Sequence, residues 1–163
     1  MLELCEKNDK VVGVTAAMPG GTGLTALLEK YPERFWDAAI AEQHAVTSMG
    51  ALAVEGFKPF CTIYSTFMQR GYDQVIHDVC LMDLPVVFAM DRAGTVGEDG
   101  ETHQGAFDVS FMRAIPNMRL CAPRDETSFH QSIEFASEYA HPLSLRYPSG
   151  AFLEADLPES TPF

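Results

Sequence analysis

The sequence has no apolar run approaching the ~18–20 residues that a membrane-spanning helix needs. It is also poor in positive charge. Eleven Lys and Arg stand against 23 Asp and Glu, a net charge of −12, and no Lys/Arg cluster interrupts the excess of acid. A nucleic-acid backbone is therefore excluded as the expected partner, and so is a membrane. Four cysteines, Cys5, Cys61, Cys80 and Cys121, are widely spaced and form no Cys-x-x-Cys pair. They are expected to be buried, reduced thiols rather than disulfides or zinc ligands. Residues Met1 to Lys7 lack the basic start and apolar centre of a secretory signal. Together with the thiols this leads to the expectation of a cytoplasmic protein. Internal repeats and low-complexity segments are missing, as are the Walker phosphate loop and the spaced dinucleotide fingerprint.

What is present is ordinary for a folded domain: 163 residues, 47% hydrophobic and 21% charged, enough for one sizeable core. Short apolar runs read as strands: Val11 to Thr15, Arg34 to Ala38, Lys58 to Tyr64, Val86 to Met90, Met118 to Ala122 and Leu143 to Tyr147. Helical patterns fall between them: Leu2 to Lys7, Leu24 to Lys30, Glu42 to Glu55, Ser65 to Leu81, Phe107 to Ala114 and Thr127 to Tyr139. The alternation predicts an α/β fold, a three-layer arrangement with a largely parallel sheet and helices on both faces. The domain is expected over residues 1–150. From Ala151 to Phe163 the chain turns acidic and proline-bearing and reads as a linker leaving the domain.

Ligands in such folds bind beyond the carboxyl ends of the strands. Four segments follow strands and should share that edge. The longest, Asp91 to Asp108, carries Gly94, Gly97, Gly100 and Gly105 together with Arg92, Glu98, Asp99, Thr102, His103 and Gln104. So long an irregular loop in a compact domain is usually functional. The turn Ala17 to Gly23 is expected to cap the helix after it. Glu42 opens the best amphipathic helix, where a carboxylate complements the positive helix end. His77, set among apolar neighbours, is expected to be a satisfied core histidine. Tyr64 and Phe67 read as core, and each arginine could simply be a salt bridge in an acid-rich chain.

Four stretches, in order and spanning about Val11 to Gly150, carry a resemblance. They are Ala41-Glu42-Gln43-His44-Ala45-Val46, then Tyr64 to Gln74, then the 91–108 loop, then Arg146-Tyr147-Pro148. They resemble the 1-deoxy-D-xylulose-5-phosphate synthase family, thiamine-diphosphate enzymes of the transketolase superfamily. Gly-Glu-Asp-Gly-x-Thr-His-Gln also occurs in transketolases. Gln69-Arg70-Gly71-Tyr72-Asp73-Gln74 and Asp91-Arg92-Ala93-Gly94 favour the synthases. The chain looks like the middle, pyrimidine-binding domain of such an enzyme.

The resemblance implies roles. Glu42 would hydrogen-bond a ring nitrogen of the cofactor's aminopyrimidine, with Phe67 stacked on that ring and Tyr64 lining the same pocket. Arg70, Arg92 and Arg146 would face the substrate; Arg92 and Arg146 suit a phosphate group because guanidinium binds it bidentately. Asp99 and His103 would handle protons. The implied reaction joins pyruvate to D-glyceraldehyde 3-phosphate with loss of carbon dioxide, for isoprenoid, thiamine and pyridoxal synthesis, and the implied assembly is a homodimer. One family feature is missing: a Gly-Asp-Gly followed some 25–30 residues later by Asn, which holds Mg2+ and the diphosphate. The expectation is therefore no metal ligand here, with Mg2+ held by a separate N-terminal domain, a further C-terminal domain after the linker, and no catalysis by this piece alone. Two alternatives stand beside this reading: a transketolase-type subunit paired with a separate diphosphate-binding chain, and a non-catalytic α/β interaction module.

Overall fold

A computed structural model describes residues 1–150 and 152. Six strands form one sheet: β1 (Val11–Thr15), β2 (Phe35–Asp37), β3 (Lys58–Tyr64), β4 (Val87–Asp91), β5 (Arg119–Cys121) and β6 (Leu143–Arg146). Their order is β2-β1-β3-β4-β6-β5, and every pairing is parallel. The expected three-layer α/β architecture is what forms. The chain steps from β1 outward to β2 and then crosses to the other side of β1 for β3. This reversal makes the carboxyl ends of β1 and β3 the topological switch point, where a crevice opens between diverging connections.

Side-chain alternation distributes the strands between two cores. Phe60 and Val87 face the layer of α1 (Leu2–Lys7), α2 (Thr25–Lys30) and α7 (Glu126–Glu138). Cys61, Ile63, Phe88 and Met90 face the other layer. That layer holds α3 (Glu42–Val54), the helical segment after β3, and α6 (Asp108–Arg113). Ala45, Val46, Met49 and Ala53 form the buried face of α3, and Gly56, at φ +80°, ends it. Asp125 and Ser128 close a reciprocal capping box on α7. All four cysteines are buried free thiols.

The segment after β3 departs from the single helix its periodicity predicts. It runs as α4 (Ser65–Met68), a 3-10 turn (Gln69–Gly71), α5 (Tyr72–Gln74) and a π-helical stretch (Val75–Cys80). The widened turns rotate Val75, Val79 and Cys80 inward and leave His77 outside. The expectation of a core histidine is thus overturned: the His77 side chain is 60% exposed, with Nδ1 3.1 Å from Asp73 Oδ1. The expected linker, 151–163, lies outside the described residues apart from Phe152, whose ring centroid is 5.4 Å from that of Phe129.

Candidate active site

The carboxyl ends of β1, β2 and β4 each lead into a residue with positive φ that is not glycine: Ala17 (61°), Ala39 (56°) and Arg92 (58°). A Cβ makes this region costly, on the order of 1–2 kcal/mol per residue, so surrounding contacts must enforce it. Here the contacts are visible. Asp37 Oδ1 accepts from both Ala17 N (2.7 Å) and Ala39 N (2.9 Å). Asp91 accepts from Arg92 N at 2.6 Å. Three of the five non-glycine residues with positive φ among the described residues thus lie at this end of the sheet, beside the switch point; the other two, Asp83 and Asn117, precede β4 and β5 and are residue types that tolerate it.

Around it stands an aromatic and charged wall. Tyr64 ends β3, and Phe67 follows in α4. Their rings are nearly parallel, with centroids 5.9 Å apart and planes 21° apart. His103 meets Phe67 edge-on at 5.2 Å and Tyr64 at 6.1 Å. The Arg92 guanidinium lies over the Tyr64 ring at 3.9 Å, a cation–π contact. It also donates from Nε to Asp99 (2.6 Å) and from Nη1 to Asp91 (2.7 Å) and to the Gly21 carbonyl (3.2 Å). Burial pushes the Tyr64 phenol and the Asp91 carboxyl up, while Arg92 opposes both shifts.

The 91–108 loop is not irregular, as its glycines had suggested. Gly97–Asp99 and Glu101–His103 form 3-10 turns, and Gly94 and Gly105 pair as an antiparallel bridge that closes the loop at its base. A Cβ on Gly105 would sit 2.2 Å from the Arg92 carbonyl oxygen, so only glycine permits that closure. The Gly20-Gly21 turn also differs from expectation. No side chain caps α2; the Thr22 hydroxyl bonds the Met18 carbonyl instead. The turn packs on Tyr64, since a Cβ on Gly21 would overlap the tyrosine hydroxyl.

Glu42 is the first residue of α3 and is 2% exposed. Among the described residues its carboxylate has one side-chain partner, Arg70 Nη1 at 3.5 Å. That is long for a charge-assisted bond and leaves acceptor capacity for a ligand's donor. Arg70 lies three positions after Phe67 in the same helical segment, which brings the Glu42 region to the aromatic wall. Arg146, at the end of β6, pairs with Asp108, at 2.6 Å from Nε and 3.4 Å from Nη2. Every arginine singled out from the sequence thus has a carboxylate partner. Asp37, Ala17 and Ala39 were missed; an alanine gives no sign in sequence of a left-handed backbone. Among the described residues no three His, Cys, Asp or Glu side chains gather as a metal site would need.

Over residues 1–152 the chain matches the transketolase pyrimidine-binding domain family. It is 75% identical over 163 residues to 1-deoxy-D-xylulose-5-phosphate synthase of Sulfurimonas denitrificans, covering 100% of this chain and 27% of that one. It is 66% identical to the same-named protein of Aliarcobacter butzleri, again across 100% of this chain and 27% of the relative. The chain therefore spans about a quarter (27%) of the length of these curated relatives. Among solved structures, a split-gene transketolase, described as an inactive β4 tetramer, superposes with a TM-score of 0.78 at 29% identity, covering 91% of this chain and 48% of that one. A transketolase from Campylobacter jejuni has a TM-score of 0.79 at 23% identity, covering 96% and 26% respectively, a likeness of fold.

Proposed function

The chain belongs to the transketolase pyrimidine-binding domain family, and from that premise we propose that it forms the pyrimidine-facing half of a thiamine-diphosphate site in a 1-deoxy-D-xylulose-5-phosphate synthase. The reaction proposed is condensation of pyruvate with D-glyceraldehyde 3-phosphate with loss of carbon dioxide. The observation that carries it is the Glu42 carboxylate, 2% exposed and, among the described residues, met by one side chain, Arg70 at 3.5 Å. A buried acceptor with spare capacity fits a ligand that brings its own N–H donor.

When bound, thiamine diphosphate supplies the acidic carbon that takes up the two-carbon unit of pyruvate. The residues of this chain bind and orient around it. Glu42 would hydrogen-bond a ring nitrogen of the pyrimidine. Phe67 offers a flat face to the pyrimidine, and Tyr64 backs it in near-parallel orientation. The role proposed for His103, edge-on to Phe67, is to give a proton to or take one from the acceptor substrate, with Asp99 of the same loop beside Arg92 as the second group. Arg92 and Arg146 are proposed to bind the phosphate, with Arg70 at the reacting end. A guanidinium has five N–H donors. Among the described residues the hydrogen bonds of Arg92 engage Nε and Nη1, which leaves the Nη2 donors for an anion. The Mg2+ and the diphosphate fall to the other half of the enzyme. We propose a cytoplasmic homodimer, with the remaining domains of the same enzyme as partners.

The test is made in the complete enzyme. Glu42→Ala and Glu42→Gln are expected to lower kcat by at least about 100-fold, the scale of a lost proton-transfer partner, with an unchanged thermal midpoint. Retained turnover would overturn the assignment. A second reading, a transketolase-type subunit with its diphosphate half on a separate chain, draws support from the 29% identity to the split-gene transketolase. It predicts turnover of ketose phosphates without pyruvate.

A further inference from the structure

Asp37 lies outside every motif that the functional reading uses, yet one of its oxygens joins the two walls of the site. Oδ1 accepts from Ala39 N at 2.9 Å, an ordinary Asx turn two residues along. The same atom accepts from Ala17 N at 2.7 Å, twenty residues away at the exit of the neighbouring strand. Both alanines have positive φ, 61° and 56°. A capping aspartate needs neither the second bond nor two strained partners.

Each alanine leads to one part of the site. The Ala39 carbonyl accepts from Ala41 N (2.8 Å) and the Ala41 carbonyl from Ala45 N (3.0 Å), so this turn sets where α3 begins and where Glu42 stands. Ala17 starts the other turn. Its Met18 Sδ takes Tyr64 N at 3.2 Å, and its Gly21 carbonyl takes Arg92 Nη1 at 3.2 Å. The bond from Ala38 N to Thr15 O, 2.9 Å, ends the β1–β2 pairing, so beyond it Asp37 is what ties the two turns together.

We infer that Asp37 is a positioning residue: its single oxygen fixes the distance between Glu42 and the Tyr64–Arg92 wall by holding two backbone amides in left-handed turns. The inference rests on Glu42 acting as proposed above. Asp37 itself touches no reacting group. Misplacement by about 1 Å can cost about 100-fold in rate.

In the complete enzyme, Asp37→Ala is expected to lower kcat by about 10–100-fold, with KM for pyruvate within about threefold and a smaller change in KM for the phosphorylated substrate than in kcat, because the Gly21 carbonyl of the same turn also holds Arg92. Asp37→Asn keeps an oxygen in the same place and is expected to recover most of the loss. Amide exchange at Ala17 and Ala39, read by mass spectrometry without cofactor, should rise in Asp37→Ala and stay at the parent level in Asp37→Asn. If Asp37→Ala fails to fold, Asp37→Glu, which displaces the acceptor by one methylene, must show the same kcat loss. Parent-like kcat in Asp37→Ala or Asp37→Glu, a loss confined to KM, or no recovery in Asp37→Asn would each overturn the inference. Glu42→Gln measured alongside separates the two ideas. If Glu42→Gln is fully active, the functional reading fails. If Glu42→Gln is inactive while Asp37→Ala is active, only the positioning role fails.

Discussion

Cys61 and Cys80 are fully buried, and their burial decides how the fold meets alkali. Burial drives the Cys61 thiol well above its ordinary range and pushes Cys80 up to about 12, with Asp83 adding to the latter. An unfolded thiol ionises near pH ~8.5. The stability these groups contribute is therefore whole below that pH and is lost as pH rises beyond it, because only the unfolded chain releases the protons. Lys58 acts with the opposite sign. Its ammonium is buried and donates to the Pro85 and Tyr139 carbonyls at 3.0 and 2.7 Å, and burial lowers its pKa to about 8. Between that value and the unfolded ~10.4, the unfolded chain binds more protons, so this residue makes stability rise with pH. Two thiols outweigh one amine above pH ~9, and the upward shifts of Cys5 and of the buried Tyr147 phenol have the same sign as theirs, so stability declines there. Urea unfolding under reducing conditions should show a flat stability from pH 7 to 8 and a fall from 9 to 10, with a shallower fall in Cys61→Ala. Stability that climbs across pH 9–10 would show that the lysine dominates.

At the scale of elements, α3 and the π-helical stretch Val75–Cys80 pack backbone to backbone. A Cβ on Gly50 would lie 2.6 Å from the Asp78 carbonyl oxygen, which is backbone and cannot swing away. Thr47 Oγ1 donates to Asp78 Oδ2 in the same contact. Gly50→Ala should force the two helices apart and cost about 1–3 kcal/mol, the usual penalty of overpacking. It should also lower kcat, because α3 carries Glu42 and the segment leading into the π-helix carries Phe67 and Arg70. A thermal midpoint equal to the parent's would count against this packing. The elements themselves were legible. Val11 to Thr15 and Lys58 to Tyr64 are apolar runs of strand length, and strands buried on both faces must be so. The π-helix was not, because Val75, Ile76, Val79 and Cys80 satisfy an α-helical stripe almost as well. The contacts that α3 makes with Asp78, from Thr47 and Gly50, join residues 31 and 28 apart in sequence and leave no local pattern. The closure of the 91–108 loop was hidden for a similar reason: Gly94 and Gly105 each look like flexibility until they are seen paired.

For the molecule as a whole, the proposed half-site bears on charge. The residues read from sequence as a ligand site do converge in part. Tyr64, Phe67, Arg92, Asp99 and His103 form one wall and Glu42 meets Arg70, because strand order alone carries their loops to one edge. What the sequence could not display was the bond pattern that fixes them, such as Asp37 reaching Ala17, since such contacts cross between strands and leave no periodic trace. The chain carries a net charge of −12, and among the described residues no acidic or histidine cluster is arranged to hold a divalent ion. A diphosphate approaching this chain meets a net like charge, and the described residues offer no ligand cluster to bring Mg2+ to it. Its pyrimidine could meet Phe67 and Glu42, yet a single flat ring and one hydrogen bond must still offset the entropy of association. Calorimetric titration of the 163-residue chain with thiamine diphosphate is therefore expected to show no Mg2+-dependent binding. Adding the diphosphate-binding portion of a 1-deoxy-D-xylulose-5-phosphate synthase should restore Mg2+-dependent binding, and Glu42→Gln should weaken the restored binding. Tight Mg2+-dependent binding by the chain alone would mean that it holds the diphosphate by groups of its own, and the division of the site between two halves would have to be abandoned.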